Sequence, residues 1–296
     1  MNISKRLETG IFYALLAALS NATIGLFTNW GIDAAVSPDL IAWLRCLIAF
    51  FVVSFFVAKK KFRVKLSGWE FVKILSCGFF GIFVLYFFET KAYHYTSVAN
   101  VVFVLMGTSA VATFILGKWL LKETVSITKV ISLIFVLAGL FFMVSNGEIS
   151  QQNFTGDLLA CTAGIGYSLF LLLTRKFNLA SSLQNLWYFF LAGSIFLAGP
   201  VLIQQNFAIT IKAILPILAL GIIPTLGGFF CTTKALSLLE ATKVQIFEMT
   251  EPIFATIIAF IFLGQLVSAH EIIGGILILI GLFFSGSNLL DKFGKI

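Results

Sequence analysis

Charge is scarce in this chain. Only 11% of its 296 residues are Asp, Glu, Lys or Arg, against 59% that are hydrophobic, with a mean hydropathy of +1.03. A soluble domain carries about 25% charged residues, so a water-facing surface around one core is excluded. Histidine is nearly absent, with His94 and His270 alone. His270-Glu271-Ile272-Ile273-Gly274 begins like a zinc-protease HExxH helix, but Gly274 stands where the second histidine must be. No metal site is expected. The four cysteines, Cys46, Cys77, Cys161 and Cys231, lie far apart inside apolar runs, without CxxC spacing, and read as small apolar fillers. No GxxxxGK[ST] phosphate loop occurs, so the chain does not itself couple to ATP, and no nucleophile–base pattern points to an enzyme.

What the chain has is apolar runs long enough to cross a bilayer. Ten candidates fall at about 9–30, 38–58, 68–90, 95–117, 126–145, 157–174, 183–204, 212–233, 241–264 and 268–288. They leave only short connections, so no soluble domain is expected. The first run follows eight residues without a small-residue cleavage site and reads as a retained helix. The net charge of +7 is distributed asymmetrically. With a cytoplasmic N-terminus, seventeen Lys and Arg fall on inside segments and only Lys91 and Lys212 outside, which predicts both termini in the cytoplasm of a multi-pass inner-membrane protein. Lys59–Lys65 is then a topology anchor against anionic lipid rather than a nucleic-acid patch. Trp30 and Trp119 read as interfacial anchors. Asn153-Phe154-Thr155 is formally a glycosylation sequon in an outside loop.

Against this background Glu248-Met249-Thr250-Glu251-Pro252 is anomalous. At about 1.5 Å per residue, Glu251 lies roughly 15 Å into its run, near the bilayer midplane. A charge there costs about 2.5–3.5 kcal/mol on insertion scales and marks a functional site facing a cavity. Pro252 has no N–H for the Glu248 carbonyl four residues back, so the backbone is interrupted beside the carboxylates. The three-residue spacing predicts both carboxylates on one helix face.

The chain also repeats itself. Thr90-Lys91-Ala92 recurs 143 residues later as Thr233-Lys234-Ala235, and at the same offset Val101 matches Val244, Met106 matches Met249, and Ala112-Thr113 matches Ala255-Thr256. After a one-residue slip, Val125-Ser126 matches Val267-Ser268, and Gly139-Leu140-Phe141-Phe142 matches Gly281-Leu282-Phe283-Phe284. Gly10, Ala14 and Ala17 fall opposite Gly156, Ala160 and Ala163. Five runs per copy is an odd number, so the second copy, 156–288, enters the membrane inverted relative to the first, 9–145. Inverted repeats are a physical basis for alternating access, with substrate near the midplane between the halves.

A ten-span, 5+5 inverted all-α membrane protein with these motifs resembles EamA-type members of the drug/metabolite transporter superfamily. The motifs are Leu44-Arg45-Cys46-Leu47-Ile48-Ala49, like the arginine of span two, and Glu251-Pro252 with Leu263-Gly264-Gln265, like an "EP … LGE" pattern. Lys122-Glu123 fits the corresponding loop of the first repeat. Gln265 replaces the usual loop glutamate, and Thr108-Ser109 replaces a proline-containing position. The resemblance implies a secondary transporter of small metabolites, with export of amino acids or related amines as the commonest role.

The repeats diverge where a site belongs. Glu248 aligns with Leu105, Glu251 with Thr108 and Pro252 with Ser109, which predicts an acidic span-nine wall facing a hydroxyl-lined span-four wall. Asn21 aligns with Tyr167, and each either lines the cavity or packs. Tyr86, Trp187 and Tyr188 lie within runs and can present ring faces to a cation. Arg45 is read as a structural or gating ion-pair residue, and Glu89 as interfacial. Together these predict an amine-bearing, zwitterionic or cationic cargo, with uptake or exchange of S-adenosylmethionine or choline as the alternative to export. No cofactor is expected. Glu248 or Glu251 serves as proton-coupling site, substrate ligand or both. Ten spans enclose a midplane site within one chain, so a monomer suffices and a homodimer is the other possibility.

Overall fold

The computed structural model describes residues 3–59, 68–124, 126–144, 151–180, 182–263 and 269–286. The basic stretch beyond Lys59, Val125, Gly264-Gln265, Val267-Ser268 and Lys292 and Lys295 lie outside the described residues. Among the described residues all regular structure is helical, in ten segments. Continuous helices are α2 (Pro38–Lys59), α4 (Val98–Leu121), α5 (Ile127–Val144), α6 (Gln151–Lys176), α7 (Leu183–Gln204) and α10 (Ala269–Gly286). The other four are interrupted. They are α1 (Ile3–Asn21, then Ile24–Asp33), α3 (Gly68–Gly78, a π segment Phe79–Val84, Leu85–Tyr95), α8 (Ile211–Leu220, a π segment Gly221–Gly228, Phe229–Leu238) and α9 (Ala241–Glu248, then Glu251–Leu263). Residues 153–155 lie in the first turns of α6, not in a loop.

Eight segments are long and apolar enough to cross a membrane, and two shorter apolar helices, Ile127–Phe142 and Ile272–Phe284, sit in α5 and α10. Large apolar side chains cover the outside: Phe12, Phe51, Phe55, Ile134, Phe141, Ile203, Leu215 and Phe260 are all exposed. Apolar surface on this scale is stable only against lipid. The chain is a multi-pass membrane protein.

Three of the four interruptions have a local cause. In α1 the Ser20 hydroxyl bonds the Leu16 carbonyl at 2.9 Å and Thr23 bonds the Ser20 carbonyl at 2.7 Å. These hydroxyls compete with the backbone ladder, and the helix bends at Ala22-Thr23. In α8 Pro224 removes a backbone donor within a widened turn. In α9 the interruption expected beside the carboxylates falls at Met249-Thr250, where Thr250 N–H and Oγ1 both turn back to the Phe247 carbonyl at 3.2 and 2.8 Å. Pro252 then falls in the first turn of the following helix, where its missing N–H costs nothing.

The two halves interlock. α1 packs on α8 and α9, α6 packs on α3 and α4, α2 on α7, and α5 on α10. Helix limits recur: Gly68 and Tyr95 bound α3, Ile211 and Leu238 bound α8, and each pair is 143 residues apart. Contacts recur as well. A Cβ on Gly139 would meet the Gly274 carbonyl at 2.6 Å and Ile278, and one on Gly281 would meet the Ser132 carbonyl at 2.8 Å and Val136. α5 and α10 therefore cross backbone to backbone and antiparallel, at a point only glycine permits. Likewise Gly10 of α1 sits against Leu239, and Gly156 of α6 against Thr96.

Candidate functional site

All four interrupted helices border one internal cavity. Its walls include Asn21 and Ile24 from the α1 bend, Leu85 and Tyr86 beyond the α3 π segment, and Pro224, Thr225 and Phe229 at that of α8. Glu251 from the α9 break, Arg45 and Glu89 complete the polar wall, with Leu105, Met106 and Tyr167 opposite. Irregular backbone at membrane depth is tolerated where it faces a cavity or protein. The volume open to water centres is about 30 Å³. That exceeds the roughly 10–15 Å³ needed to hold an ordered water.

Four charged side chains are buried around it. Glu248 is fully buried and satisfied: Thr232 donates to Oε1 at 2.6 Å and the Tyr167 hydroxyl donates to Oε2. Arg45, also fully buried, donates from Nη2 to Glu89 Oε2 at 2.7 Å and lies over the Tyr86 ring at 3.6 Å. Its Nε and Nη1 have no hydrogen-bond partner among the described residues, and neither does Glu251 Oε2. Glu251 is 3% exposed. A buried polar group left unpaired costs about 1–3 kcal/mol, more when charged. Unpartnered polar atoms on side chains of opposite charge around one small cavity thus mark a place where a ligand or water belongs.

The structure gathers Arg45, Tyr86, Asn21, Tyr167 and Glu251 on the cavity wall and sets Glu248 one step behind, bonded to Tyr167. The two glutamates do not present one face, because the break between them turns each to different neighbours. Three expected wall residues lie elsewhere. Thr108 packs at Gly164 of α6, and Leu105 and Met106 supply that wall instead. Trp187 donates to Ser54 at 2.7 Å and lies tilted against Phe50 on the α2–α7 contact, and Tyr188 is edge-on to Trp187. Glu89 is buried against Arg45 rather than interfacial.

Glu89 and Thr232 carry the pairing of Arg45 and Glu248, yet sequence reasoning gave Glu89 an interfacial place and did not single out Thr232. A signal existed: they are the residues immediately before the repeated Thr-Lys-Ala, 143 positions apart. Both positions had diverged to polar groups that can bond a charge.

Comparison with known families shows which class of membrane protein this is. The EamA-like transporter family matches residues 8–145 and again 154–287. The chain belongs to this family, within the drug/metabolite transporter superfamily. It is similar to an uncharacterized transporter of Archaeoglobus fulgidus, 27% identical over 84% of this chain and 88% of the relative. It is also similar to the uncharacterized transporter YyaM of Bacillus subtilis, 24% identical over 92% of this chain and 88% of the relative. A solved structure described only as a crystal structure of a protein shares the fold, with a TM-score of 0.78 and 18% identity over 95% of this chain and 98% of that one.

Proposed function

We propose that this protein is a secondary active transporter that carries a small amine-bearing zwitterion, such as an amino acid or derivative, by alternating access. The observation that carries this reading is the set of unpartnered polar atoms on one cavity, Glu251 Oε2 for the ammonium and, on the side of Arg45 not held by Glu89, Nε and Nη1 for the carboxylate. Trp187 and Tyr188 stand off the cavity and Tyr86 is covered by Arg45, so these three rings do not form a cage for a quaternary ammonium such as choline, and Tyr167 and Phe229 are the other rings on the wall. That favours the zwitterion over the purely cationic nutrient.

The reading includes ten spans in two inverted five-helix halves, 9–145 and 156–288, with both termini in the cytoplasm of the inner membrane. Recurrent helix limits, the antiparallel α5–α10 crossing and the double family match support it. The cavity is small, about 30 Å³, and cargo enters as the halves move apart. Export is the proposed direction, although gradients set it. Glu251 is the proposed proton-coupling group, competing with the ammonium for one carboxylate. No cofactor is required, and one chain encloses the site.

Counterflow in proteoliposomes tests this. Vesicles preloaded with an unlabelled amino acid should accumulate the labelled one, and Glu251→Gln should abolish accumulation. Normal accumulation by Glu251→Gln, or accumulation of neutral and anionic solutes alone, would refute the acidic cavity.

A further inference from the structure

Glu248 is not the only place where α6, α8 and α9 are tied together. Where α4 ends, Lys122 adopts a left-handed backbone, φ 54°, and turns Glu123 toward the start of α9. Glu123 Oε1 accepts from Ala241 N–H at 2.8 Å, and Oε2 accepts from Thr242 N–H at 3.3 Å and from the Thr242 hydroxyl. Arg175, in the last turn of α6, donates to the Leu236 carbonyl at 2.7 Å and to the Leu239 carbonyl at the end of α8. Its Nε stands 3.9 Å from Glu123 Oε1. Beside them Lys129 pairs with Glu240 at 2.6 Å. One carboxylate thus sits on a helix start and one guanidinium on the carbonyls of a helix end, each the charge that the helix dipole favours.

The same three helices meet at the cavity, where Tyr167 of α6 and Thr232 of α8 hold Glu248 of α9. Tyr167 and Arg175 are eight residues apart on α6, about 12 Å along the axis. Ala241 and Glu248 are the two ends of one eight-residue helix. The corner is therefore fastened at two levels, once at the site and once at the end of the bundle where Lys118, Lys122, Lys129, Arg175 and Lys176 gather. At the equivalent position of the first repeat, α4 is capped by its own Ser97, an uncharged group from the same chain segment.

We infer that Glu123 and Arg175 form a latch that closes the basic, cytoplasm-assigned end of the cavity, and that it opens together with the Tyr167–Glu248–Thr232 contacts. The inference rests on the transport reading above. Breaking the latch frees the short first helix of α9 to swing away with Glu248, which uncovers the site from that end. Closing it restores both levels.

The latch can be tested without knowing the cargo. Gln245 lies on the short helix between Ala241 and Glu248 and is 1% exposed. In a Gln245→Cys protein, a water-soluble methanethiosulfonate reagent should label slowly. Adding Glu123→Ala should speed labelling by about tenfold or more, the effect of losing charge-assisted hydrogen bonds. Should that variant fold poorly, Glu123→Gln, which keeps an acceptor oxygen, carries the same test. The parent protein, with its own four cysteines, gives the background rate. In proteoliposomes, joining Glu123→Cys to Thr242→Cys with a short reducible cross-linker should stop transport, and reduction should restore it. Unchanged labelling, or transport by the cross-linked protein at the reduced rate, overturns the latch. Failure of the cargo reading shows separately, as absence of counterflow in the parent protein, while labelling still decides the latch.

Discussion

Tyr86 and Phe229 meet edge to face, their ring centroids 5.6 Å apart, and they stand 143 residues apart at equivalent positions of the two halves. Both line the cavity. Tyr86 belongs to α3 and Phe229 to α8, so the cavity sits where these two interrupted helices meet. Around that point the halves differ in backbone as well as chemistry: α1 and α9 are interrupted where α6 and α4 are continuous, Asn21 lines the wall from one half and Tyr167 from the other, and Glu89 stands where the other half has Thr232.

The two glutamates should separate by function. Glu251→Gln should abolish ligand-dependent stabilisation while leaving the unliganded melting temperature little changed, because Oε2 bonds nothing among the described residues. Tyr167→Phe should instead lower intrinsic stability by about 1–3 kcal/mol, since a buried carboxylate loses one of its donors. Thermal unfolding in detergent, with and without ligand, distinguishes the two.

Arg45 and Glu89 should behave as a buried pair. Removing one partner, as in Glu89→Leu, should cost about 3–5 kcal/mol by stranding a charge, and the double replacement Arg45→Met with Glu89→Leu should recover much of it. The recovered protein should still fail to bind a ligand carboxylate. Melting curves of the three variants check the coupling, and equality of the single and double variants would contradict it.

Gly139→Leu and Gly281→Leu should each disrupt the α5–α10 crossing by about 1–3 kcal/mol or more, because the added side chain meets backbone rather than a flexible tip. Similar losses from the two substitutions are expected from equivalent contacts. Size-exclusion profiles and melting temperatures measure this.

Reporter fusions at the two ends should lie on the same side of the membrane. A compartment-sensitive reporter active at one terminus and inactive at the other would remove the even span count and, with it, the inverted arrangement.

Much of this was legible in the sequence because its signals are local or periodic. Apolar runs fixed the helices, and the repeat of Thr-Lys-Ala with the glycines fixed their correspondence. The α9 break was legible too: Pro252 acts on the carbonyl four residues back, and the first helix of α9 ends at Glu248. What the break does to the side chains was not, since reading both carboxylates onto one face assumed an unbroken helix. Thr108 was misplaced because alignment with Glu251 says nothing of Gly164, which lets α6 close over it. Trp187 and Tyr188 sit on a helix that is apolar all round, so no periodicity told the face toward α2 from a face toward the cavity. Glu89 lies near the end of its run, and only the packing of α2 against α3 brings Arg45 to it.

The most direct test is ligand-dependent thermal stabilisation of the purified protein across amino acids, simple amines, carboxylates, choline and nucleosides. A bound ligand raises stability by RT ln(1 + [L]/Kd), about 2.7 kcal/mol at a hundredfold excess. Stabilisation by zwitterionic amino acids, lost in Glu251→Gln, and weaker or absent for amines and carboxylates alone, is the predicted result. Stabilisation by neutral or anionic solutes that survives Glu251→Gln would contradict the account at its centre.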